Sequence, residues 1–397
     1  MVRRRSNFAK LLSALLPRSW SDGGYSLKKM NSQKKIFCFS LLIFSLVTSG
    51  SLRAQEKDYY TAVRVDWHLA GISECHEDWP AAIRYYQNVI AESKPFLLDS
   101  REWYVGTASY GIARCAAHIG DTITVRSSLV RALGHHFWNF SLIRADSLML
   151  NVCGAAWIDS VTKFWSGVLE DERPTWQAQQ PIMFYPDGYD STPRWPLVIA
   201  LHGGNDCYES FAQQWRQMAK ELRVVVAVAP GVIRESQITN SWGSQTELVE
   251  KSIVGLVSRL TSAHLADPSQ VYLTGFSQGA EYSIELSLRR PDIFMGAISM
   301  SGFVSDTLSD STLAVAKRHG VRVYAITGDN ECQTFHSKIE SAQQECARAG
   351  IPFNLSILPG MTHEVPLDFH RQFLTAWNWV RPASQAEGQK EERQFMR

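Results

Sequence analysis

The sequence predicts an α/β fold, a mostly parallel β-sheet flanked by helices and preceded by an all-α region, and three observations predict it. From about Asp58 to Leu169 the apolar residues recur at helical spacing and no clear alternating strand run appears. The second half then carries short apolar runs, "PLVIALHGG", "RVVVAVAP", "QVYLTGFS", "GAISMSG", "VRVYAITGD" and "FNLSILPG". Each is nearly continuous, as a strand buried on both faces must be, and most precede a helical pattern, so the alternation specifies a parallel sheet covered by helices. Finally, four of the runs end in His202-Gly203-Gly204, Ser277, a pair of carboxylates at Asp329 and Glu331, and His363. The carboxyl ends of parallel strands are where such sheets gather their chemistry.

A length of 397 residues is more than one core usually fills, so two folded regions with tails are expected. Residues 1–54 read as a secretory signal peptide, with Met30 as the true start. Lys34 and Lys35 form its basic region, Ile36 to Val47 its apolar run, and small and polar residues lead to cleavage after Ala54. That run is short for a bilayer, which favours a cleaved signal over a retained membrane anchor and predicts an exported protein, periplasmic or secreted. Cys38 lies inside the run rather than after it and does not read as a lipid-attachment site.

Residues 55–175 form the expected helical domain, with "AAIRYYQNVI", "YGIARCAAHIGD" and "SSLVRALGHHF" as its clearest helical stretches. Ala113, Ala116 and Ala117, a turn at Gly120 and Ala132 in the next helix let two antiparallel helices approach closely. This order resembles tetratricopeptide repeats, the alternative being a plain helical bundle; repeats would imply a surface for a protein partner or a lid over the next domain. "LEDERPTWQAQQ" is polar enough to be a linker. The α/β domain is expected over 176–382, and the charged tail 383–397 is expected to be disordered.

A formal net charge of +1, with acidic and basic residues interspersed, gives no footprint for nucleic acid or an anionic membrane surface. Cys75, Cys115, Cys153, Cys207, Cys332 and Cys346 remain after cleavage and, in an oxidising compartment, permit disulfides. Their spacing matches no zinc pattern and fixes no pairing.

"YLTGFSQGAEYS" places Ser277 between Gly275 and Gly279 where a strand gives way to a helix. One reading is a tight turn eased by glycine. The other is a strained nucleophile elbow that displays the serine hydroxyl above the sheet. The chain order Ser, acid, His favours the second, and with "LHG" early, "GFSQG" at the elbow and "PG-x-x-H" late, residues 181–380 resemble the α/β-hydrolase superfamily, closest to its carboxylesterase, phospholipase and feruloyl-esterase-like families.

The resemblance implies a serine esterase with no metal or organic cofactor, acting on a small-molecule or polymer-linked ester. Ser277 would be the nucleophile and His363 the base, with the amides of Gly204 and Gln278 as oxyanion donors. The family pattern G-x-x-D, counted from Gly328, lands on Glu331, with Asp329 the alternative. His202 reads as a structural residue of the loop, since one base suffices. Trp242, in a loop that reaches the same face, is expected to bind substrate, with core packing the alternative. Two rival functions share the sequence. The same residues can serve a peptidase or amidase, and the helical repeats can serve a partner-binding protein whose hydrolase domain is a retired scaffold.

Overall fold

The computed structural model describes residues 59–190, 195–304 and 308–381, all within one compact unit, Lys57–Arg397. The expected signal peptide and the tail 383–397 lie outside the described residues. Among the described residues seven α-helices come first: α1 (Tyr59–Cys75), α2 (Trp79–Glu92), α3 (Leu98–His118), α4 (Thr122–Gly134), α5 (Phe140–Ala145), α6 (Ser147–Cys153) and α7 (Ala155–Glu172). Four of their starts are written in the sequence. Asp78, Asp121, Asn139 and Asp146 each cap a helix by accepting a main-chain N–H of its first turn, which satisfies a donor the helix cannot. Gly120 makes the α3–α4 turn at φ 73°, and Ala113, Ala116, Ala117 and Ala132 share one buried core. A second, aromatic core joins α1, α2 and α3, with Trp67 and Trp103 stacked at 5.9 Å.

The sheet follows in strands β1 (Ile182–Phe184), β2 (Leu197–Leu201), β3 (Val225–Ala229), a short hairpin of β4 (Ile233–Arg234) and β5 (Asn240–Ser241), β6 (Val271–Phe276), β7 (Gly296–Met300), β8 (Arg322–Gly328) and β9 (Phe353–Leu358). Interleaved helices are α8 (Tyr208–Ala212), α9 (Trp215–Leu222), α10 (Thr246–Ser262), α11 (Gln278–Arg289), α12 (Asp310–His319), α13 (Gln333–Ala349) and α14 (Phe369–Val380). The main sheet runs β1-β3-β2-β6-β7-β8-β9, parallel throughout except for β1. This is the mostly parallel sheet flanked by helices that the sequence predicts.

Two-sided burial explains the continuous apolar runs. Along β2, Val198 and Ala200 enter a core with Trp215 of α9 and Phe373 and Trp377 of α14, while Leu197, Ile199 and Leu201 enter another with Ile253 of α10 and Leu286 of α11. Strands leave β2 toward β3 on one side and toward β6 on the other. The crevice at that switch point, outside the carboxyl ends, is the position this topology reserves for a ligand. Among the described residues no helix is long and apolar enough to cross a membrane.

Candidate active site

Leu201 and Gly275 are register partners at the ends of β2 and β6, so the loop after one strand and the turn after the other are neighbours. Ser277 sits in that turn at φ 52° and ψ −121°, a left-handed conformation that costs a non-glycine residue about 1–3 kcal/mol. Its main-chain N–H donates to Met300 O at 3.0 Å. The flanking glycines are required sterically. A Cβ at Gly275 would lie 2.3 Å from Gly279 C, and one at Gly279 would lie 2.3 Å from Leu201 O. The turn is therefore packed against β2 so closely that only glycine fits on either side of the serine.

Three side chains from three strand ends meet here. Ser277 Oγ is 2.8 Å from His363 Nε2, and His363 Nδ1 is 2.8 Å from Glu331 Oε2. Glu331 is 7% exposed. Burial works against its ionisation, but the hydrogen bond and charge of His363, the N–H of Cys332 and the Ser301 hydroxyl outweigh it and hold the carboxyl below the usual range. The Cys332 N–H to Glu331 Oε1 bond is 2.9 Å. Asp329 takes a different partner, accepting from Gly360 N at 2.6 Å, so of the two carboxylates it is Glu331 that meets the imidazole.

The loop after β2 is held rigidly. His202 is fully buried; its Nδ1 lies 2.6 Å from Gly203 O and its Nε2 accepts from Gly231 N at 2.9 Å, an arrangement that needs a neutral ring. Burial lowers its pKa to about 4, which keeps it neutral. Asp206 accepts from Gly203 N at 3.2 Å and Cys207 N at 2.7 Å, and burial raises its pKa to about 7. Gly204 borders Gln278, whose side chain clamps the opposite loop: Oε1 accepts from Trp242 N at 3.0 Å and Nε2 donates to Gly243 O at 3.0 Å. The amide of Gln278 is the first of α11 and has no intrahelical acceptor.

Trp242 corrects an expectation. It is 0% exposed, packs among Leu197, Leu201 and Tyr282, and donates from Nε1 to His202 O at 2.8 Å. An indole with a buried acceptor for its N–H is most stable inside, so Trp242 supports the His202 loop from the core and does not line the cavity.

The cavity beside Ser277 has a volume of about 300 Å³ and is walled from both halves of the molecule. Gly203, Gly204, Phe276, Ser277 and His363 come from the α/β half; Arg64, Trp67, Trp103, Tyr104 and Phe137 come from the helices. Helix α1 also grips the loop that carries His363. Arg64 donates to Val365 O at 3.2 Å and to Pro366 O, and His68 Nδ1 pairs with Glu364 Oε1 at 2.7 Å. The same Glu364 oxygen accepts from Thr362 N and Oγ1, each at 3.1 Å. Sequence reasoning missed these helical residues, and also Gln214 and Asp206. Only Asp206 carried a signal, a carboxylate two residues beyond the Gly-Gly at a strand end. The six cysteines among the described residues are unbridged.

The family model for esterases matches residues 174–393, more than half of the chain. The chain belongs to the Esterase family. It is 29% identical over 119 residues to poly(3-hydroxyalkanoate) depolymerase C of Paucimonas lemoignei, covering 27% of this chain and 28% of that one. It is 26% identical over 171 residues to feruloyl esterase B of Thermothelomyces thermophilus, covering 39% of this chain and 52% of that one. The matches thus span about half or less of these relatives. A solved carboxylesterase from Mesorhizobium loti aligns at 18% identity over 45% of this chain and 88% of its own, with a TM-score of 0.39.

Proposed function

We propose that the chain is an exported serine hydrolase that cleaves carboxylic esters through an acyl-enzyme intermediate. The observation that carries this reading is the unbroken relay from Ser277 Oγ through His363 to Glu331, with both links at 2.8 Å, on a serine held in a strained turn. A serine hydroxyl is a weak nucleophile until a base takes its proton. As Ser277 Oγ attacks the ester carbonyl, His363 Nε2 accepts that proton, and Glu331 stabilises the imidazolium through Nδ1–H. The tetrahedral oxyanion is stabilised by the amides of Gly204 and Gln278. Collapse breaks the carbonyl carbon–alkoxide bond, His363 returns the proton to the leaving alcohol, and Ser277 remains acylated. Water then attacks with His363 again as base, releasing the acid and restoring the Ser277 hydroxyl.

Membership of the Esterase family favours an ester over the amide rival. The basic and apolar segment from Lys34 to Val47 supports export, and secreted protein beginning at Gln55 is the expected product. The test is hydrolysis of p-nitrophenyl acetate and butyrate, with fluorophosphonate labelling, by protein beginning at Gln55 and by its Ser277→Ala variant. Turnover and label lost together in the variant support the reading; wild type that neither labels nor turns over any short ester overturns it.

A further inference from the structure

The cavity beside Ser277, with several aromatic rings in its wall, holds a set of unpartnered polar atoms. Gln214 lines it, is 8% exposed, and has no protein partner for either Oε1 or Nε2. Asn205, at φ 53°, lines it with Oδ1 likewise unpartnered, and so does Trp103 with Nε1. Buried polar groups are nearly always hydrogen-bonded, and each that is not costs about 1–3 kcal/mol. Three such residues line one cavity, and together they call for an occupant.

Gln214 is informative because its setting offers it ordinary uses. It stands at the N-terminal boundary of α9, where a side chain can cap the helix, yet it makes no capping bond. The preceding residue is engaged, since Gln213 Nε2 donates to Ser100 Oγ of α3 at 3.1 Å. The chain therefore ties one carboxamide across the two halves and keeps the next one, with its donor and its acceptor, at the cavity.

We propose that Gln214, with Asn205 and Trp103, forms a polar recognition subsite for a hydroxyl group carried by the substrate, so that the natural ester bears a hydroxyl on the portion that enters the cavity. A hydroxyl offers one donor and two acceptor positions, so it can accept from Trp103 Nε1 and Gln214 Nε2 while donating to one of the two acceptors, Asn205 Oδ1 or Gln214 Oε1. A site built to bond a substrate hydroxyl rejects the analogue that lacks it, because its own polar groups are then left unpaired. The proposal rests on the esterase reading above and names the substrate class of the same site.

The experiment compares kcat/KM for paired esters differing by one hydroxyl. On the acyl side the pairs are p-nitrophenyl butyrate and its hydroxybutyrate counterparts; on the alcohol side they are ethyl butyrate and 2-hydroxyethyl butyrate. Wild type is expected to prefer the hydroxylated member about tenfold or more on one side, and Gln214→Leu to bring that ratio close to one. Gln214→Met serves as a second variant if Gln214→Leu is poorly folded. Thermal melting adds a readout that a structural role would move oppositely: removing an unpartnered amide should leave Tm unchanged or raise it. A wild-type preference under about twofold on both sides, a preference that survives the substitution, or a clear fall in Tm in both variants overturns the proposal while leaving ester hydrolysis standing. Absence of both turnover and fluorophosphonate labelling in wild type overturns the esterase reading, and this proposal with it.

Discussion

In the α/β half, the groups that converge on the cavity stand where β2, β6, β8 and β9 end, and their positions follow from strand register and from glycines that leave no room for a side chain. In the helical half, most of the cavity residues are large and aromatic, scattered from α1 to α5, and are placed by helices packing on one another. The first region tolerates almost no change of shape at its site, since it is defined by backbone. The second defines walls and a grip on the His363 loop, which side chains supply. The contrast teaches a division of labour within one compact unit: the proposed reacting groups on one side, enclosure and support on the other.

Removing the proposed nucleophile tests the contrast most severely. Ser277→Ala is expected to lower kcat by about a thousandfold or more with the melting temperature intact, measured by p-nitrophenyl ester hydrolysis. Backbone dependence is tested by Gly279→Ala, whose Cβ would meet Leu201 O at 2.3 Å. A loss of about 3 kcal/mol or more in denaturant unfolding, together with lost activity, is expected, and near-wild-type behaviour would show that the turn is looser than its contacts require.

Between the two carboxylates, Glu331→Gln should cost about a hundredfold or more in kcat, whereas Asp329→Asn should cost under about threefold. A reversed order would reassign the acid. Because the Glu331 carboxyl lies below the usual 4.5 in the folded state, its contribution to stability is present above about that pH and is lost as pH falls through the folded value.

For the helical half, His68→Ala removes a partner of Glu364 beside His363, and a fall in kcat of about three- to thirtyfold with little change in KM is expected. A loss confined to KM would make α1 a wall alone.

The smallest effect expected lies in the loop after β2. His202, neutral with a folded pKa of about 4 against 6.5, contributes stability that is present above pH 6.5 and lost as pH falls toward 4. Asp206, raised to about 7 from 3.8, contributes stability that is present below pH 3.8 and lost as pH rises toward 7. The two slopes oppose each other, so Asp206→Asn should make Tm rise more steeply with pH between 4 and 6.5 than it does in wild type.

Much of the α/β half was legible because its information is local. A run such as "VYLTGF" states burial on two faces, and a serine between glycines at its end states a turn that other residues cannot make. Glu331 was reachable by counting from Gly328. The rest was not local. His68 and Glu364 are 296 residues apart in sequence, and nothing in the spacing of α1 announces that its polar face meets the His363 loop. Trp242 failed for another reason: an aromatic residue in a loop fits a core or a cavity wall equally well, and the buried acceptor at His202 O, which decides the matter, is a tertiary contact.

The grip of α1 on residues 362–366 joins the earliest described helix to one of the last segments of the fold. Synthesis delivers the N-terminal part first, so Arg64 and His68 wait through nearly the whole of translation for the loop they hold. Ser277 is synthesised before His363, its proposed base, and the His363 loop is held only when the two ends of the fold close on each other.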